Sequence, residues 1–121
     1  MYNNQAARAY QQTRRAVVSG RDLESMLLLK AAARLQGVKD DWDNRKDDLV
    51  GALTYNRKLW SVLIDLILRP NNPLEDEVKV NLSNIAIFIF KHTIEIEVDP
   101  QPEKIGPLVD LNRTIAEGLR S

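Results

Sequence analysis

The sequence predicts an all-α protein: one domain, a compact antiparallel bundle of about five helices with a long third helix. Three observations carry that expectation. Apolar residues recur at three-then-four spacing over Leu49, Leu53, Trp60, Ile64 and Ile67, and again over Ile105, Leu108, Ile115 and Leu119. That spacing marks helix faces packed against other helices. Glycines and prolines mostly punctuate the chain between periodic segments, and connectors are short, as in an antiparallel bundle. At 121 residues the chain is long enough for one core and too short for two.

A first helix is expected over about residues 3–17, with Tyr2, Ala6, Ala9, Tyr10, Thr13 and Val17 on one weakly apolar face. So small a face predicts that residues 1–18 are mobile or are ordered by a partner. Ser19-Gly20-Arg21-Asp22 reads as a break, with Ser19 capping a second helix that ends at Gly37. Asp40 or Asp41 would cap the third helix, whose pattern persists to about Leu68 with Gly51 as its weak point. Asn72 as cap, Pro73 as first helical residue and Glu75 as third predict the start of the fourth. Its stripe is Val78, Leu82, Ile85, Ile89, His92 and Ile96. A second face, Val80, Ile87, Phe88, Phe90 and Ile94, predicts burial on several sides, so the third and fourth helices should form the spine of the bundle. Residues 94–98 alternate like a strand but continue a longer helical stripe and are read as helix. Asp99-Pro100-Gln101-Pro102 breaks the chain before a fifth helix that runs to about Leu119.

Composition narrows the chemistry. Formal net charge is zero, so no overall field draws the protein to nucleic acid or membrane. The absence of cysteine excludes disulfides, thiolate metal sites and a cysteine nucleophile. The longest apolar run, residues 85–90, is far short of the roughly 20 residues that span a bilayer, and no membrane insertion is expected. Met1-Tyr2-Asn3-Asn4-Gln5 lacks a signal pattern, so the expected location is cytoplasmic. The single histidine, His92, lies on an apolar stripe and reads as a satisfied core residue. The acidic run Asp40, Asp41, Asp43, Asp47 and Asp48 lacks the glycine and glutamate of a calcium loop and reads as a solvated helix start. No catalytic group, metal or cofactor is expected.

Two positions break the apolar stripes. Asn56 stands where the third helix calls for an apolar residue, and Asn112 does the same in the fifth. Arg57 and Arg113 follow them directly. A buried amide costs a few kcal/mol unless it is bonded. Such a residue either fixes helix register or lines a groove that holds a partner's helix. A weaker signal lies in Arg8, Arg14, Arg15 and Arg21, which precede every acidic residue and are interleaved with Tyr2 and Tyr10. They could contact RNA phosphates and stack on bases.

The words around these pairs carry a resemblance. Tyr55-Asn56-Arg57-Lys58-Leu59-Trp60 and Leu111-Asn112-Arg113-Thr114-Ile115-Ala116-Glu117-Gly118-Leu119-Arg120 resemble the FlaF family of flagellar biosynthesis regulators. Ala9-Tyr10-Gln11-Gln12-Thr13, Ala32-Ala33-Arg34-Leu35 and Trp42 follow the family's order, while residues 85–96 match it less literally. The resemblance implies a cytoplasmic bacterial protein acting on flagellin synthesis, export or assembly, alongside a companion regulator of flagellin message, FlbT. Together with the helical pattern it leads to the expectation of a chaperone-like factor that buries an amphipathic flagellin segment against the third and fifth helices. Asn56 and Asn112 would bond amides there, Arg57 and Arg113 would pair with carboxylates, and Trp60 and Tyr10 would be apolar anchors. The alternatives are a regulator of flagellin mRNA translation, acting directly or through FlbT, and a scaffold for FlbT alone.

Overall fold

In a computed structural model, residues 4–120 are described, with side chains from residue 21 onward. The described residues are helical with no strand, as the stripes require. Helix α1 spans Asn4–Asp40, α2 is a single turn at Trp42–Arg45, and a 3-10 turn covers Lys46–Asp48. Helix α3 spans Leu49–Ile67 and α4 spans Asp76–Val98. A second 3-10 turn, Pro102–Ile105, leads into α5 at Gly106–Arg120. Four long helices and one short turn thus replace the expected five.

The expected break at residues 19–22 is absent, because α1 runs through it as one helix of 37 residues. Nothing there forbids a helix. The first proline is Pro70, an interior glycine costs only about 1 kcal/mol, and Ser19 and Asp22 favour a cap without requiring one. Gly37 likewise fails to stop the helix, and no described glycine has positive φ. One residue further on, Val38 is completely buried, and its burial offsets the cost of the glycine.

The long unbroken third helix is also corrected. Asp41 and Arg45 leave helical geometry, at φ −122°, ψ 46° and φ −119°, ψ 7°, and turn the chain back on itself. Aspartate and asparagine favour local side-chain bonds over helix. Asn44 Nδ2 donates to Asp41 Oδ1 at 2.9 Å, and Arg45 Nε donates to Asp48 Oδ2 at 3.2 Å. The Arg45 guanidinium then lies across Gly37, with Nη1 2.5 Å from where a Cβ would stand.

Helix α4 starts three residues later than its sequence signal. Asn72 folds an Asx turn instead, its Oδ1 accepting from Leu74 N at 3.0 Å. Its Nδ2 donates to Leu66 O at 3.2 Å, which closes the C-terminal turn of α3.

Register can be read from side chains. Ser25 Oγ donates to Ala116 O at 2.8 Å, Asn112 reaches Leu28, and Lys39 approaches Gly106, so α1 and α5 are antiparallel. Arg34 lies over Gly51, and Lys30 and Arg34 each sit 5.9 Å from the Tyr55 ring centre, so α1 also opposes α3. Helix α1 is therefore the spine, flanked by α3 and α5, while α4 packs on α3 and buries Leu82, Ala86, Ile89, Thr93 and Ile96. The expectation that α4 is buried on several sides fails. Of that face only Phe90 is partly buried against the core, while Val80, Ile87, Phe88 and Ile94 are exposed, because a helix at the edge of the bundle has only one neighbour along most of its length.

Candidate functional site

The two stripe asparagines meet in the core. On α3, Asn56 and Trp60 lie one turn apart on the inward face, and Asn112 of α5 reaches between them. Asn112 Oδ1 accepts from Trp60 Nε1 at 2.9 Å. Its Nδ2 donates to Asn56 Oδ1 at 2.6 Å and to Leu28 O of α1 at 3.3 Å. All three side chains are 0% exposed. One amide therefore ties three helices together at a single level, with the Ser25–Ala116 bond one turn away on the same seam. A one-turn slip of α5 would strand the indole N–H and both amides in a dry site, at about 1–3 kcal/mol per group. The arrangement is a register lock. One atom stands outside it: Asn56 Nδ2 is buried with no acceptor among the described residues.

Each residue along a helix turns by about 100°, so the position after a stripe position swings outward. Arg57 and Arg113 are accordingly exposed. Arg113 lines a surface concavity with Leu29, Glu117 and Arg120. Tyr10 lies outside the residues whose side chains are described. Six candidate residues thus separate into a core trio of Asn56, Trp60 and Asn112, two surface arginines, and Tyr10. The trio does not face solvent in the free chain, so it offers a partner no direct contact without the core opening.

His92 is satisfied and partly buried. Its Nε2 donates to Lys104 O at 2.6 Å, its ring stacks on Phe88 at 5.1 Å, and Nδ1 lies 3.4 Å from Glu95. These contacts pin the end of α4 to the turn before α5. No group of acidic or histidine side chains suited to a metal occurs among the described residues. Nor is any described helix long and apolar enough to cross a membrane.

What the stripes did not reveal is a groove between α4 and α5. One concavity of about 510 Å3 is lined by Asn84, Ile85, Phe88, Pro107, Asp110 and Leu111. Another, of about 240 Å3, is lined by Leu74, Val78 and Leu82 facing Ile115, Gly118 and Leu119, with Arg21 at its rim. The order of lining residues shows the two helices running in opposite directions, with apolar residues of both lining the concavities. From Val78 to Phe88 the groove follows α4 for about 15 Å. Val78, Leu82 and Ile85 belong to the stripe read as core and only Phe88 to the second face, so a stripe residue lines a groove as readily as it packs in the core.

Glu24 on α1 is partly buried, and burial pushes its carboxyl above the ordinary range, with Arg21 pulling the other way. A raised acid pKa means that the folded state holds the proton more tightly. Stability from this group is then greatest below the ordinary value of 4.5 and declines as pH rises through the folded value. Glu24→Gln should therefore raise the melting temperature at neutral pH, and the gain should vanish in acid below pH 4.5. A gain that persists unchanged in acid would show a cause other than the carboxylate.

Residues 6–119 match the family model described as Flagellar protein FlaF. No curated protein and no solved structure matched the chain. With a match over nearly its whole length, the chain belongs to the FlaF family of flagellar proteins.

Proposed function

We propose that this flagellar protein is a cytoplasmic, non-catalytic binding factor that holds an amphipathic helix of flagellin before export or assembly. The observation that carries the reading is the groove between α4 and α5. It is lined by Val78, Ile85, Phe88 and Leu111 and closed by no element of the described fold. An apolar channel between two splayed helices suits the helix-in-groove mode, in which a third helix inserts its apolar stripe. Free flagellin has amphipathic ends that would associate prematurely, so covering them is the work of a chaperone. The binding surface is α4 with α5, not α3 with α5, since Asn56 and Trp60 are enclosed. Regulation of flagellin mRNA, directly or through FlbT, is the competing reading. Of its proposed contacts, Arg21 is exposed at the concavity beside Val78 and Leu119, while Arg8, Arg14 and Arg15 lie outside the residues whose side chains are described.

Calorimetry with purified flagellin tests this. Phe88 and Val78 are about 40% exposed and line the groove, so charges there should spare the fold. Phe88→Glu with Val78→Asp should weaken flagellin binding at least tenfold while leaving the melting temperature within a few degrees. Absence of flagellin binding at tens of micromolar would refute the proposal. Binding to flagellin leader RNA that weakens steeply with salt would support the competitor instead.

A further inference from the structure

We propose that α4 joins a second copy of this chain in an antiparallel two-fold contact centred on Asn84. The face of α4 turned away from the bundle carries Glu77, Val80, Asn84, Ile87, Lys91 and Ile94, all exposed. It lies opposite the buried stripe of Leu82, Ala86, Ile89, Thr93 and Ile96. Its spacing alternates three and four, the pattern of a two-helix seam, with β-branched Val80, Ile87 and Ile94 at every seventh residue. Val80 is 58% exposed and Ile87 50%. An ordered apolar seam on the outside of a bundle marks an interaction surface.

The occupant follows from the order of residues along that face, which is its own complement. Glu77 and Lys91 stand seven residues to either side of Asn84. A second α4 laid antiparallel about Asn84 sets Glu77 of each copy against Lys91 of the other, and two-fold symmetry makes the pair twice. Val80 of each copy falls beside Ile87 of the other. At the axis the two Asn84 amides meet, each able to donate and to accept. Among the described residues Glu77 and Lys91 enter no ion pair and the Asn84 amide makes no hydrogen bond. The other charges within the overlap, residues 76–92, do not oppose this register. Asp76 falls opposite position 92, a histidine, and Lys79 Nζ is held by Arg69 O at 3.2 Å. A parallel pairing would instead stack Glu77 on Glu77 and Lys91 on Lys91, so like charges select against it.

The overlap is about 24 Å long. A single two-helix seam of that length buries less than the roughly 1,200 Å2 of a standard interface, so the dimer forms at tens of micromolar. Sedimentation velocity of the full-length protein, up to about 200 μM, should show a reversible monomer–dimer equilibrium. Glu77→Lys alone and Lys91→Glu alone should each weaken the dimer about tenfold, since each places like charges at both pairs. An equimolar mixture of the two single variants should associate as the unmodified protein does, because opposite charges face one another again. Ile87→Asp should abolish the dimer while leaving the melting temperature within a few degrees, the side chain being half exposed. A protein that stays monomeric at 200 μM overturns the inference. So does association that survives Ile87→Asp, or single variants whose mixture is no better than either alone. Asn84 also lines the groove between α4 and α5, whereas Glu77, Ile87 and Lys91 do not. The measurement needs no flagellin, so this inference and the flagellin reading fail independently.

Discussion

Asn112→Ala should cost about 3–5 kcal/mol of folding stability, because one truncation strands several buried groups at once. Among the described residues, Trp60 Nε1 would lose its one acceptor and Asn56 Oδ1 its one donor. Each orphaned group in a dry core is worth about 1–3 kcal/mol, and a small cavity adds to that. Against a typical total of about 5–15 kcal/mol, this is a large share. For a domain of this size the melting temperature should fall by roughly 12–20 °C. The companion variant makes the argument sharper. Asn56→Leu removes an amide whose Nδ2 has no acceptor, while Asn112 keeps both Trp60 and Leu28 as partners. That change should be neutral within about 1 kcal/mol or mildly stabilising. The two asparagines, alike in sequence context, should therefore differ by several kcal/mol in chemical denaturation. Equal losses at both positions would show that the Asn112 hydrogen bonds do not hold the register. The double variant should be strongly non-additive, since the residues share one bond.

Trp60→Ala should be comparably damaging, for a different reason. The indole is the largest fully buried side chain and sits where α3 meets α5 and α1. Its removal opens a cavity that rigid helices cannot fill, at a cost of about 3–5 kcal/mol. Trp60→Phe retains most of the volume and loses the N–H donor to Asn112, so about 1–2 kcal/mol is expected. Denaturant titrations of the pair separate packing from hydrogen bonding. Similar losses in both variants would assign the residue's value to its N–H alone. If flagellin is the partner, as proposed, both variants should also lower its binding in proportion to the unfolded fraction, unlike Phe88→Glu, which should lower it in a folded protein.

Several features were legible in the chain because they follow from local rules. The stripes on α3 and α5 placed Leu53, Leu108 and the two asparagines correctly on inward faces, since burial at 3.6-residue periodicity leaves a direct imprint on composition. Residues 94–98 stayed helical despite strand-like alternation, because a longer stripe governs the element that contains them. The Ser19-Gly20 signal misled because cap residues permit a helix start without compelling one, and the aspartate run at residues 40–48 turned the chain where periodicity alone implied continuity.

The sequence by itself determined the all-helical class, the core faces of α3 and α5, and the family to which the chain belongs. It also marked Asn56 and Asn112 as residues needing an explanation, since a buried amide is costly wherever it stands. Only the tertiary structure decided that they answer one another. Periodicity describes one helix at a time, whereas Asn112 finds its partners 52, 56 and 84 residues away, on two other helices. The same limit hid the groove. Whether an apolar edge of α4 faces a neighbour or a gap depends on how far apart two helices pack, and no single helix encodes that distance.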